Sequence, residues 1–137
     1  MTSKVIYTGD LRTTAVHLQS GTEIQTDAPT DNQGQGARFS PTDLLATSLA
    51  SCFLTTLAIA GKKHDLNIEG AVCMVEKIMI PSPRMVGEIK MNISFPNNKA
   101  FTDKEKKIIT LVANSCPVHV SLHPDVKKTY NFNWPNE

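Results

Sequence analysis

Residues 44–61 read LLATSLASCFLTTLAIAG, eighteen positions without a charge. That length is the lower limit for crossing a bilayer. Five hydroxyl residues interrupt it, namely Thr47, Ser48, Ser51, Thr55 and Thr56. The stretch reads better as a helix buried on nearly every side inside a soluble protein. Its start is well marked. Ser40 is a cap, Pro41 suits the first helical position, and Asp43 stands three residues after the cap. Phe39 and Leu44 are spaced for a hydrophobic staple. Lys62 and Lys63 suit the negative end of the helix. A chain of 137 residues and 15.0 kDa has little with which to surround such a helix. A second copy would supply the missing walls, so burial alone leads us to expect a homodimer.

Working outward, the segments on either side look like ordinary strands and amphipathic helices. Lys4–Thr8, Thr14–Leu18 and Thr22–Thr26 read as strands, separated at Gly9-Asp10 and Ser20-Gly21. Residues 28–37 (APTDNQGQGA) read as a loop. Beyond the helix, Asn67–Ile80 and Val86–Phe95 form a hairpin pattern broken by Pro81-Ser82-Pro83. A loop is expected over 96–100. Thr102 opens a second helix, with Glu105 completing a capping box. Ile108, Ile109, Leu111 and Val112 give that helix an apolar face. It ends near Cys116, because Pro117 follows. Pro117 begins a further helical turn through Ser121, and Val126–Trp134 alternates as a last strand. The order β-β-β-α-β-β-α-β predicts an α+β fold with mainly antiparallel sheet and one domain over residues 1–137.

Composition excludes several classes. Hydrophobic residues at 40% and charged residues at 20% are a globular balance. A net charge of +1 provides no field to recruit nucleic acid or an anionic membrane. Aromatic residues at 6% weaken any base-stacking role. Three cysteines are too few for a disulfide scaffold. The start MTSKVIYTGD lacks the apolar run of a secretory signal. A cytoplasmic protein with reduced thiols is expected, without nucleic-acid or membrane partners.

The cysteines carry the sharpest chemistry. Cys52 lies mid-helix, where a small buried residue is the plain reading. Cys116 stands at a helix end, a more exposed and more functional address. Cys73, among Val72, Met74 and Val75, reads as packing. A redox pair needs one low-pKa thiolate and a second thiol within bonding reach. A spacing of 64 residues between Cys52 and Cys116 neither supports nor excludes that. Arginine is the natural partner of a thiolate and a peroxide. Arg12 sits in a tight loop, Arg38 precedes the capped helix, and Arg84 lies at the hairpin tip. A surface charge is the plain reading of each. Asp43, nine residues before Cys52, falls on the opposite helix face about 13 Å along the axis. It is therefore a cap first. Cys116, His119 and His123 lack a fourth ligand, so no zinc site is expected. Gly34-x-Gly36 is too short for a phosphate loop, and no nucleophile elbow occurs.

Two motifs then point to a family. Phe39-Ser-Pro-Thr-Asp-Leu-Leu45 followed by Ala50-Ser-Cys52, and Asn114-Ser-Cys-Pro-Val-His-Val-Ser-Leu122, resemble the OsmC/Ohr family of peroxide-handling proteins, in its broad OsmC-like branch. The resemblance extends as a pattern over essentially the whole chain. It implies an OsmC-like fold, an intertwined homodimer with central helices between sheets, and two sites at the interface. It implies a peroxidatic Cys52, oxidised to a sulfenic acid by an organic hydroperoxide, and a resolving Cys116 that closes a Cys52–Cys116 disulfide. An external dithiol would restore the thiols, with no metal or other cofactor. Arg12 matches the arginine that attends the thiolate. The family pairs that arginine with a Glu directly after the helix proline. Here Thr42 holds that place and Asp43 follows one step, about 100°, further round. The second reading is a non-catalytic module of the same fold, a redox sensor or a binder of a small apolar ligand.

Overall fold

The two residues after Gly9 set the first hairpin. Asp10 and Leu11 both have positive φ, 55° and 61°, the pair a tight I′ turn requires. The turn joins β1 (Ser3–Gly9) to β2 (Arg12–His17), and β3 (Glu23–Asp27) adds antiparallel to β2. The computed structural model describes residues 1–96 and 100–136. It divides into two compact units, Met1–Leu45 and Ala46–Glu137. In the first unit, Val5, Ala15 and Ile24 lie opposite one another across the sheet. Val5 remains 63% exposed and Ile24 48%. The segment 28–37, expected as a loop, contains one short 3₁₀ turn at Thr30–Asn32.

The long helix α1 (Pro41–Lys63) begins as its sequence directs. The Asp43 N–H donates to Ser40 Oγ at 3.0 Å, and the Ser40 N–H donates to Asp43 Oδ2 at 2.9 Å. This reciprocal cap satisfies two donors that a helix start leaves unpaired. Phe39, expected in a staple with Leu44, is 54% exposed. At the far end the His64 and Leu66 N–H groups both donate to the Gly61 carbonyl. A Cβ at Gly61 would run into the Leu66 carbonyl, so only glycine permits the chain to turn back there.

Burial of α1 is narrower than expected. Ala46, Leu49, Ala50, Phe53, Leu57 and Gly61 form one buried stripe. Ser51, Thr55, Ala58 and Ile59 are exposed. By length and composition α1 could cross a bilayer, with a mean hydropathy of 1.8 over its most apolar window, 33% of it buried. The reason for the shortfall is geometric: one three-stranded sheet and two shorter helices cover one side of a helix, not all of it.

The second unit supplies that cover. β4 (Val72–Ile80) pairs antiparallel with β5 (Met85–Ser94). β4 is shorter than the strand expected from Asn67. The Asn67 carboxamide accepts the Glu69 N–H at 2.8 Å and Gly70 takes φ 88°, which turns the chain before Val72. Ile78 faces Glu88 but Met79 faces Val86, so Gly87 is a bulge. The bulge resets the alternation and lets Val86 and Ile89, three apart, both face the core. The loop expected over 96–100 falls mostly outside the described residues.

α2 (Asp103–Ala113) carries the expected capping box between Thr102 and Glu105. The chain continues through α3 (Pro117–Ser121) to β6 (Lys127–Asn133). β6 joins β5 in parallel, as a crossover through helices requires. The sheets are thus mainly antiparallel, with one parallel pair, and the fold is α+β. Ile89, Met91 and Ile93 are fully buried beneath α1 and α2. Tyr130 and Phe132 of β6, and Trp134 just beyond it, pack against the same core. Phe53 meets Tyr130 at 5.5 Å and Phe132 at 6.1 Å between ring centres.

Candidate active site

Pro117 decides the local geometry at the second sulfur. The residue before a proline is steered to extended backbone, which is also what an N-cap needs. Cys116 takes φ −66°, ψ 138°, and its Sγ accepts the His119 N–H at 3.3 Å. The preceding N–H of the turn, Val118, is close enough to the sulfur of Cys52 on α1 to favour its thiolate. Two adjacent backbone N–H groups at the start of α3 therefore attend two sulfurs, and each thiol lies near enough to the other to shift its acidity. Thr56 Oγ1, one turn along α1, lies 3.9 Å from Cys52 Sγ. All three cysteines are free thiols.

The two thiols are unequal. Burial pushes Cys52 up, but hydrogen bonds from Val118, Cys116 and Thr56 outweigh it and leave the thiol below its ordinary value. Burial pushes Cys116 up, and its hydrogen bond and proximity to Cys52 add to that despite the His119 N–H. Cys52 is half-buried, whereas Cys116 is fully buried. The accessible sulfur is thus the more acidic one. Cys73, expected as packing, is pushed up to about 11 by burial.

A polar chain runs beside the sulfurs. Tyr130 Oη donates to the Ala113 carbonyl at 3.0 Å, and His119 Nδ1 lies 2.8 Å from the same oxygen. The hydroxyl has one hydrogen, and a carbonyl only accepts. His119 Nδ1 must therefore carry the proton in this bond. Burial and the Lys128 charge lower the His119 pKa, which favours the neutral ring. Burial raises the Tyr130 hydroxyl first, with further contributions from Cys116, Cys52 and Cys73.

The first unit holds the candidate arginines. Arg12 Nε is 2.6 Å from Asp27 Oδ1, and Nη2 is 3.2 Å from Oδ2. Arg12 and Asp27 are opposite each other in the β2–β3 register. The Asp27 side chain is only 2% exposed, accepts the Ala37 N–H at 3.1 Å and lies 4.0 Å from Arg38 Nη1. Its hydrogen bond to Arg12, chiefly, holds its carboxyl below the usual range despite desolvation. Asp43 uses one carboxylate oxygen in the Ser40 cap, and Thr42 Oγ1 lies 3.2 Å from Ser40 Oγ. Arg84 is exposed at the hairpin.

The structure therefore unites Cys52 with Cys116, and Arg12 with Asp27. Sequence reasoning missed Asp27, Tyr130 and the Val118 N–H. Asp27 was not legible, since a two-residue turn at Ser20-Gly21 would pair Arg12 with Pro29, whereas the observed register pairs it with Asp27. Nor was Tyr130, because its contacts with Phe53, Ala113 and His119 on three separate helices arise only on folding. An open groove of about 600 Å³ also runs along α1, lined by Leu54, Ala58, Gly61, Leu66 and Ile68 with Lys62 at its rim, and neither sulfur lines it.

Residues 34–131 match the family model described as OsmC-like protein. A crystal structure from Psychrobacter arcticus, of a protein named for osmotic stress induction and a detoxification response, is 50% identical with TM-score 0.92, over 97% of this chain and 96% of that one. An OsmC-like protein from Mycoplasma pneumoniae is 21% identical with TM-score 0.78, over 96% and 94%. An organic hydroperoxide resistance protein OsmC from Legionella pneumophila is 12% identical with TM-score 0.76, over 97% of both chains. The last two likenesses concern the fold. No curated protein matches the sequence.

Proposed function

The chain belongs to the OsmC-like protein family, and on that premise we propose that it is a thiol peroxidase for organic hydroperoxides, acting in oxidative-stress defence. The observation that carries this reading is the sulfur pair. A half-buried, acidified Cys52 lies beside a fully buried, less acidic Cys116.

The Cys52 thiolate attacks one peroxide oxygen. An S–O bond forms, the O–O bond breaks, and the leaving alkoxide takes a proton to depart as an alcohol. Sulfur is oxidised to the sulfenic acid and the peroxide is reduced. The Cys116 sulfur then attacks Cys52, an S–S bond forms, and the sulfenic oxygen leaves as water with the Cys116 proton. An external dithiol reverses the disulfide by two exchange steps and is itself oxidised. Cys116 stays protonated until it is needed, since burial opposes its thiolate. No metal or other cofactor enters this scheme.

Arg12 is assigned to the thiolate by family resemblance, and Asp27 rather than Thr42 or Asp43 supports its guanidinium in this reading. Homodimer formation is part of the proposal. The uncovered side of α1 and the apolar positions Val5 and Ile24 are surface that a second copy would bury. We assign the reaction to a reducing cytoplasm, where thiols persist. The groove along α1 favours the alternative, a module that binds a small apolar ligand without turnover.

One equivalent of cumene hydroperoxide decides between them. The peroxidase reading expects loss of two thiols, a Cys52–Cys116 crosslink in peptide mass spectra, and no loss in Cys52→Ser. Three thiols remaining in folded protein would favour the binding module. A solution mass of one chain would refute the dimer.

A further inference from the structure

α3 has five residues, too few to hold an orientation by its own hydrogen bonds. Yet its first turn must point two N–H groups at two sulfurs. Something outside α3 must fix it. Tyr130 on β6 meets that need. Its hydroxyl donates to the Ala113 carbonyl, the last residue of α2, and accepts from His119 Nδ1 in α3. It therefore ties the end of α2 to α3 across the Asn114-Ser115-Cys116 link. The His119 and Tyr130 rings also stack at 5.8 Å and 24°. The Tyr130 ring packs edge-on against Phe53, the neighbour of Cys52 on α1. One side chain thus touches the helices that carry both sulfurs. Burial keeps the hydroxyl protonated, so the donor persists through neutral pH.

We propose that Tyr130 and His119 are positioning residues for the sulfur pair: their hydroxyl–imidazole link holds the first turn of α3 against Cys52 and Cys116. Neither side chain takes part in bond making. Their effect passes through the Val118 and His119 backbone donors. The inference deepens the peroxidase reading and rests on it for its biological meaning, but the geometry can be tested without peroxide.

The test is the rate of Cys52 alkylation by iodoacetamide against pH, resolved by peptide mass spectrometry. Cys116, Cys73, Tyr130, His119 and Lys128 are the titratable groups around the site, so the Cys52 peptide is followed alone. Tyr130→Phe keeps the ring contacts and removes the hydroxyl. Without the hydroxyl the first turn of α3 is no longer held, and a less well aimed Val118 N–H is expected to move the midpoint up by roughly half to one pH unit, slowing labelling at pH 7 roughly three- to tenfold. His119→Ala should give the same shift with all backbone donors intact. His119→Asn presents an amide donor near the Nδ1 position and should restore most of the wild-type midpoint. A merely structural role would lower the melting temperature and leave the midpoint unmoved. An unshifted midpoint in folded Tyr130→Phe overturns the proposal. If that variant does not fold, an unshifted midpoint in His119→Ala overturns it. Failure of peroxide turnover in the wild type, with these shifts present, would refute the peroxidase reading and leave the positioning role standing.

Discussion

Alkylation of the native protein should separate its three thiols by their surroundings. Cys73 is pushed up to about 11 by burial, while hydrogen bonding holds Cys52 below its ordinary value despite desolvation. Only the thiolate reacts, and its lower intrinsic nucleophilicity cancels about half of the gain in thiolate fraction, so at pH 7.5 Cys52 should be labelled roughly tenfold faster than Cys73. Cys116 is fully buried and raised, so it should be protected by both access and protonation. The assay is a timed iodoacetamide quench followed by peptide mass spectrometry, with a urea-unfolded control in which the three react alike. The pH dependence adds a second mark. The Cys52 rate should level off at a lower pH than that of Cys73, whose rate should still climb about tenfold per unit through pH 10. Cys73 labelled as fast as Cys52, or Cys116 reacting first, would refute the assignment of the acidic sulfur.

Other outcomes follow from packing and capping. Phe53 is 0% exposed and meets two rings of β6, so Phe53→Ala should cost about 3–5 kcal/mol, read as a melting temperature lower by roughly 10–15 °C. Thr102→Ala removes the capping box of α2 and should cost about 1 kcal/mol in urea unfolding, with an unchanged slope. The Asp27 pKa is depressed in the folded chain, so its stabilisation is present above the ordinary carboxylate range and lost as pH falls through the folded value. Asp27→Asn should therefore melt lower than wild type at pH 7, and the gap should narrow below about pH 4. A gap that stays constant with pH would show that the charge of Asp27 plays no part.

Local rules were sufficient where the physics is local. The Ser40–Asp43 and Thr102–Glu105 caps join residues three apart, and both form as their spacing requires. The alternation from Val86 to Phe95 identified the buried face of β5, although only the pairing with β4 revealed that Gly87 is a bulge. The apolar run of α1 fixed a helix and its ends. It could not fix which side is covered, because coverage depends on how many elements pack on it. The first strand residues of the hairpin were overextended to Asn67, since apolar content outweighed a turn made by one carboxamide and Gly70.

By itself the sequence determined the elements and their order, because caps, turns and alternation act over a few residues, and it singled out Cys52 and Cys116 only through the motifs that resemble the family. Only the tertiary structure decided that Cys52 and Cys116 meet, since 64 residues of chain separate them and a hydrogen bond has no memory of sequence distance. It also decided which sulfur is acidic. That difference comes from burial and from backbone N–H groups, and every residue carries the same N–H in the sequence; folding alone aims the one at Val118 toward Cys52.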